Sequence, residues 1–128
     1  MLMTVLQVAL GGALGASGRY LSGVALMRAF GPQPMPVGVL FVNILGSFLM
    51  GALVVFLGQR QLTHFNPLLA TGFLGGFTTF SSFSLEAWTM IERGDMALGA
   101  AYIGISVSAG LLGLVAGLYM MRAILGAL

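Results

Sequence analysis

The chain alternates between four long apolar stretches and three short segments that are polar or rich in glycine and proline. The apolar stretches cover residues 2–27, 37–57, 67–91 and 96–125. Each is long enough for a helix that crosses a bilayer, which needs about 20 apolar residues. The intervening segments, residues 31–36, 59–66 and 92–95, carry the prolines, amides and charges that end such helices. The pattern therefore predicts an all-α membrane protein in which residues 1–128 form one domain of four transmembrane helices.

The composition supports this prediction and excludes several classes of function. Hydrophobic residues make up 59% of the chain and charged residues 6%, with a mean hydropathy of +1.05. Soluble domains carry about 25% charged residues. The absence of cysteine excludes disulfides and thiolate metal sites. His64 is the only histidine, and no nucleophile is paired with a base in the sequence, so we predict that the chain is not an enzyme.

The arginines divide evenly between the two faces that four helices would present to water. Arg60 and Arg122 fall on one face, and Arg28 and Arg93 fall on the other. Because orientation normally follows an excess of arginine and lysine on the cytoplasmic side, this balance has two interpretations. Either a chain this short has too few charges for the rule, or it inserts in both orientations and pairs as an antiparallel dimer. Four short helices leave little room for a pore within one subunit, so assembly is predicted.

Small residues spaced four apart recur in three of the apolar stretches and allow helices to approach closely. The pairs are Gly11 and Gly15, Ser47 and Gly51, and Gly113 and Gly117. This spacing does not distinguish packing within a subunit from packing between subunits.

The third apolar stretch has the composition of an interrupted helix. Residues 72–84 read GFLGGFTTFSSFS, with a single ordinary aliphatic residue. Glycine costs a helix interior about 1 kcal/mol relative to alanine, and adjacent threonines add crowding. Gly75-Gly76 followed by Thr78-Thr79 therefore predicts a break near the centre of the span. Such breaks release backbone carbonyls and amides that bind ions in transporters. The alternative is an intact helix whose glycines pack closely.

Aromatic and polar side chains follow the predicted break at helical spacing. Phe80 and Phe83 share one face, and their ring edges, the positive part of the quadrupole, favour an anion without binding it as a full charge would. The alternative is that these phenylalanines belong to the core. A polar stripe on the third and fourth spans consists of Ser82, Glu86, Tyr102 and Ser106.

Three polar groups within the apolar stretches have more than one interpretation. The amide of Asn43 either donates to an anion or bridges two helices. Arg19 either extends to the membrane interface or favours anions in a vestibule. Glu86 is either protonated, or paired with an arginine, or close enough to the helix end to reach water.

Three segments of the chain resemble the Fluc/CrcB family of fluoride channels. They are residues 12–20 (GALGASGRY), 38–46 (GVLFVNILG) and, most specifically, 72–86 (GFLGGFTTFSSFSLE). The resemblance extends over essentially the whole chain. It implies an antiparallel, dual-topology homodimer with two pores and passive, highly selective fluoride transport. It also implies that the protein exports toxic fluoride from the cytoplasm across the cell (inner) membrane.

The same resemblance implies roles for individual residues. Phe80, Phe83 and Asn43 correspond to residues that line the pores. The backbone carbonyls of Gly75 and Thr78 correspond to those that bind a central structural Na⁺ at the dimer interface, and no organic cofactor is implied. The stripe that resembles the family's polar track consists of Ser82, Glu86, Tyr102 and Ser106.

Two positions depart from the family pattern, and each departure removes a hydroxyl. Val39 stands where a threonine is expected, and Gly110 stands where a serine is sometimes seen. Neither change affects the phenylalanine pair or the expected cation site.

Two other functions fit a short chain of four membrane helices. A small dual-topology multidrug exporter is the main alternative, but proton-coupled export calls for a membrane-embedded carboxylate early in the chain. Residues 2–27 contain Arg19 and no acid, which argues against it. The other is a membrane assembly factor whose glycine-rich third span only packs, and it predicts no ion flux.

Overall fold

Helices account for nearly all of the computed structural model, which describes residues 1–126. Two long helices, α1 (Leu2–Phe30) and α2 (Val37–Gln59), are followed by a 3₁₀ turn at Thr63–Phe65. A π-helical stretch (Pro67–Leu74), α3 (Gly75–Phe77), α4 (Phe80–Glu92) and α5 (Met96–Ile124) complete the chain. The described residues include no strand, so the all-α prediction is confirmed. The predicted domain extends to residue 128, and its last two residues lie outside the described part.

Glycine and proline end the helices at the predicted turns. α1 continues to Phe30, after which Gly31 adopts a φ of 70°, a left-handed conformation that costs glycine little. Pro36 directly precedes α2, where its missing N–H removes no helical hydrogen bond. Gly94, with a φ of 94°, makes the turn between α4 and α5. These turns keep the connections between successive helices short.

The small-residue pairs pack within the subunit. At Gly11 and Gly15 of α1, the backbone of the π-helical stretch occupies the place that a side chain would need. Gly51 of α2 lies in the same way against the backbone of α5, and Gly117 of α5 lies against the backbone of α2. The structure therefore contains two closely packed layers, in which α1 pairs with the first half of the third span and α2 pairs with α5.

A small apolar core joins α4 to α5. It consists of Phe83, Ala87, Met90 and Tyr102, with Tyr102 fully buried. Val39 of α2 is one of the partly buried residues packed against it. At this departure from the family pattern, the valine contributes an apolar contact in place of a hydroxyl.

The outer surface is apolar, as a surface in contact with lipid must be. Three segments are long and apolar enough to cross a membrane, namely Val37–Gln59, Thr63–Glu92 and Met96–Ile124. α1 is equally long but is not among them, because Gln7, Arg19, Arg28 and several glycines lower its hydropathy. The protein is therefore a multi-pass membrane protein with four helical segments. The crossing by α1 stays a prediction.

Candidate functional site

The third span is interrupted at two residues. Thr78 (φ −91°, ψ 161°) and Thr79 (φ −152°, ψ 118°) are extended and separate α3 from α4. The predicted break is confirmed, but it is narrower than the sequence indicated, because Gly75–Phe77 remains helical. The π-helical winding of Pro67–Leu74 was not predicted. Its wider turns begin at a proline, which has no N–H to donate, and they pack directly on the glycines of α1.

The two threonines end one half-helix and begin the next. Both the backbone N–H and the hydroxyl of Thr78 donate to the carbonyl oxygen of Leu74, at 3.0 and 2.9 Å. The hydroxyl oxygen of Thr79 accepts from the backbone N–H of Ser82 at 3.2 Å and so caps the N-terminus of α4. The methyl group of Thr78 fits against Gly46 of α2, where a side chain would collide with it. Local capping and close packing therefore stabilise the interruption together.

Asn43 of α2 pairs with the backbone at the break. Its Nδ2 donates to the carbonyl oxygen of Thr79 at 2.9 Å, and its Oδ1 accepts from the N–H of Thr79 at 2.8 Å. The sequence left open whether Asn43 donates to an anion or bridges two helices, and the structure contains the bridge between helices. An amide nitrogen carries two hydrogens, and the described residues accept only one of them. The residue also lines the groove described below.

Arg19 forms a hydrogen bond to the third span. Its Nε donates to the carbonyl oxygen of Gly76 at 3.1 Å. The residue also lines a cavity of about 270 Å³ together with Thr79 and Glu86. Both interpretations of Arg19, an extension to the interface and a role in a vestibule, stay predictions.

The carbonyls of Gly75 and Thr78 accept no hydrogen bond from any residue between 1 and 126. The helix ends before the residues that would donate to them, since the N–H of Thr79 is paired with Asn43. Gly75 lies in α3, and Thr78 is the first extended residue after it. Two oxygen ligands for a hard cation are thus available at the break.

The two phenylalanines contact each other but differ in burial. Their ring centroids are 5.6 Å apart at an interplanar angle of 52°. Phe83 is 9% exposed and packs at 5.3 Å from the ring of Tyr102, whereas Phe80 is 79% exposed. The core interpretation therefore holds for Phe83. It does not hold for Phe80, whose ring is exposed.

The predicted polar stripe is partly connected. The hydroxyl of Tyr102 donates to Oε2 of Glu86 at 2.9 Å. The partner of Glu86 is thus a tyrosine and not an arginine, and between residues 1 and 126 the single ion pair is Arg93 with Asp95. The hydroxyls of Ser82 and Ser106 have no partner in the described part of the chain, and that of Ser106 is buried.

An open groove of about 430 Å³ brings most of these groups together. The break, the α4 phenylalanines and the facing sides of α2 and α5 form its walls. Its polar and aromatic lining consists of Asn43, Ser47, Thr78, Thr79, Phe80, Phe83 and Ser106. The groove does not include Ser82, Glu86 or Tyr102.

Sequence reasoning missed two participants. Ser47 lines the groove, although the sequence indicated only a packing role for it. Its position four residues after Asn43 on the same helix face was the available signal. The bond from Arg19 to Gly76 joins residues 57 positions apart, and no local pattern reports it.

Comparison with known proteins gives one family. The family model described as CrcB-like protein, Camphor Resistance (CrcB), matches residues 6–118, which include the whole groove. A relative from Ruegeria sp. (strain TM1040) is 58% identical over 125 residues, covering 98% of this chain and 99% of the relative. One from Cereibacter sphaeroides (strain ATCC 17029 / ATH 2.4.9) is 57% identical over 122 residues, covering 95% and 97%. One from Rhizobium meliloti (strain 1021) is 46% identical over 121 residues, covering 93% and 96%. All three are named Fluoride-specific ion channel FluC.

Proposed function

Because this chain belongs to the CrcB family, we propose that it forms a passive channel selective for fluoride. The relatives named above are fluoride-specific ion channels, and they match this chain over nearly its full length. Membership of this family also confirms the expectation that the chain is not an enzyme.

One observation carries the proposal, namely the meeting of the break, the phenylalanines and the Asn43 amide in a single groove. Fluoride binds its hydration water tightly, so a pore must replace those hydrogen bonds without binding the ion too strongly to release it. The free amide hydrogen of Asn43, the hydroxyl of Ser106 and the ring edges of Phe80 and Phe83 are neutral groups that favour an anion. The positive charge of Arg19 lies outside this groove, so it does not trap the ion there.

An antiparallel homodimer with two pores completes the proposal. Phe80 is 79% exposed in one subunit, and a second copy would cover it and close the open side of the groove. The even division of arginines between the two faces favours insertion in both orientations. Two variants with a single cysteine, at position 64 or at position 95, test the insertion in both orientations. His64 and Asp95 lie in the connections before and after the third span, and the chain has no other cysteine.

In intact cells, an impermeant thiol reagent should label each of these two variants to about half, as dual topology requires. Complete labelling of one variant and none of the other would establish a single orientation and contradict the antiparallel arrangement.

A structural Na⁺ between the subunits is part of the proposal. The carbonyls of Gly75 and Thr78 fit such an ion, since they have no hydrogen-bond donor among the described residues and hard cations prefer oxygen ligands. Two carbonyls from each subunit would supply four oxygens. When bound, the ion would neutralise the carbonyl dipoles at the ends of the half-helices. Replacing Na⁺ by a large organic cation should lower the thermal stability of the purified dimer. A stability that is independent of Na⁺ would oppose this part of the proposal.

The remaining predicted residues extend the path beyond the groove. Glu86, bonded to Tyr102, lines the same cavity as Arg19, and we assign this cavity to the vestibule where anions enter. Arg19 there raises the local anion concentration. The stripe that continues from it comprises Ser82, Glu86, Tyr102 and Ser106. In the cell (inner) membrane, such a path lets cytoplasmic fluoride leave down its gradient.

Flux from liposomes tests the function. Vesicles that contain the purified protein and are loaded with equal fluoride and chloride should release fluoride rapidly and retain chloride. Protein-free vesicles are the control. Equal release of both anions would remove selectivity, no release would favour the assembly-factor alternative, and a requirement for a proton gradient would favour the exporter.

A further inference from the structure

We propose that Ser47 is a further residue of the anion path and that its hydroxyl donates a hydrogen bond to fluoride. The inference rests on the proposed fluoride function and adds a residue to which the family resemblance gives no role.

Ser47 is placed beside the groups that already form the groove. It lies four residues after Asn43 on α2, so both side chains lie on one helix face. Both line the 430 Å³ groove, which Ser106 of α5 and Thr79 of the break line as well. An anion in contact with the Asn43 amide thus has the Ser47 hydroxyl one helical turn further along.

The hydroxyl of Ser47 is available for a ligand. Serines and threonines in membrane helices usually donate to the carbonyl four residues earlier. Four residues of this chain do so, namely Ser17, Thr78, Ser84 and Thr89. Neither Ser47 nor Ser106 forms such a bond with any described residue, and the Ser106 oxygen is buried without a partner. Two unbonded hydroxyls, one from α2 and one from α5, therefore line the same groove.

Gly110 leaves room on the opposite wall. A Cβ atom built on Gly110 would lie 3.7 Å from Oγ of Ser47, an ordinary contact distance. Position 110 is therefore a place to which a hydroxyl can be moved without a collision.

This geometry defines an exchange experiment in fluoride-loaded liposomes. S47A should lower fluoride efflux by about tenfold, the size of one lost hydrogen bond to a charged group. S47A/G110S returns a hydroxyl from the opposite wall and should recover most of the wild-type rate. S47A/G110A adds the same Cβ without the oxygen and should stay slow. S17A, whose hydroxyl bonds within its own helix, is the matched control and should match wild type.

The outcomes separate this inference from the parent proposal. Wild-type efflux in S47A, equal recovery by both double variants, or recovery by neither would overturn the role of the Ser47 hydroxyl. Gel-filtration profiles identical to wild type show that each variant is assembled. A wild-type protein that conducts no fluoride would overturn the proposed function itself, before any variant is compared.

Discussion

Replacing Asn43 tests whether one amide holds the interrupted span in place. N43A removes both hydrogen bonds to Thr79 and leaves its N–H and its carbonyl without partners in a partly buried site. Each of these two groups, when left unpaired in a buried site, costs about 1–3 kcal/mol, so N43A should lower the free energy of unfolding by about 2–6 kcal/mol.

The single tryptophan, Trp88, reports on this directly because it lies on α4, the half-helix that follows the break. Denaturant titration in detergent, followed by Trp88 fluorescence, should give a lower unfolding midpoint for N43A than for wild type. Asn66 is a matched control, since its side chain forms no capping hydrogen bond at the start of the π-helical stretch. Equal unfolding midpoints for N43A and N66A would refute the view that the amide stabilises the break.

Three further substitutions test the site and its packing. F80I should slow fluoride efflux at least about tenfold and leave the stability of the monomer unchanged, because the Phe80 ring is exposed. F83I should slow efflux and also destabilise the protein, because the Phe83 ring is buried. Unchanged efflux in both variants would exclude the two rings from the anion path. Y102F should lower the unfolding free energy by about 1–3 kcal/mol by removing a hydrogen bond to a carboxylate, and an unchanged denaturation curve would contradict this. G15A should lower the free energy of unfolding by about 1–3 kcal/mol, because a backbone oxygen occupies the place of the added Cβ atom. G23A adds its Cβ atom to open space, so the free energy of unfolding in the same titration should be unchanged or higher.

Several features could be read from the sequence because they depend on neighbouring residues. The break at Thr78 and Thr79 follows from local propensity, since glycines and β-branched residues both weaken a helix. The spacing of Phe80 and Phe83 likewise predicted that they share one helix face, and their rings lie 5.6 Å apart in the structure. The π-helical stretch was not predictable in this way, because its winding depends on the close approach of α1 to Pro67–Leu74.

The burial and the hydrogen-bond partners of several residues could not be predicted from the sequence. Phe80 and Phe83 are the same residue type three positions apart, yet one is exposed and the other lies in the core. Glu86 had three candidate environments, and the tyrosine hydroxyl it accepts from was not among them. These differences arise from which helices pack on α4, and helix spacing alone carries no information about that.

Hydropathy and local backbone preference are properties of adjacent residues, and they were enough to predict the membrane environment, the four helical segments and the position of the break. The partners of the broken backbone depend on how the helices pack. Asn43 bonds to Thr79, 36 positions later in the chain, and Arg19 bonds to Gly76, 57 positions later. Both bonds form because α1 and α2 pack against the third span. Unpaired backbone groups within a membrane must find such partners, and packing alone selects which side chains they are.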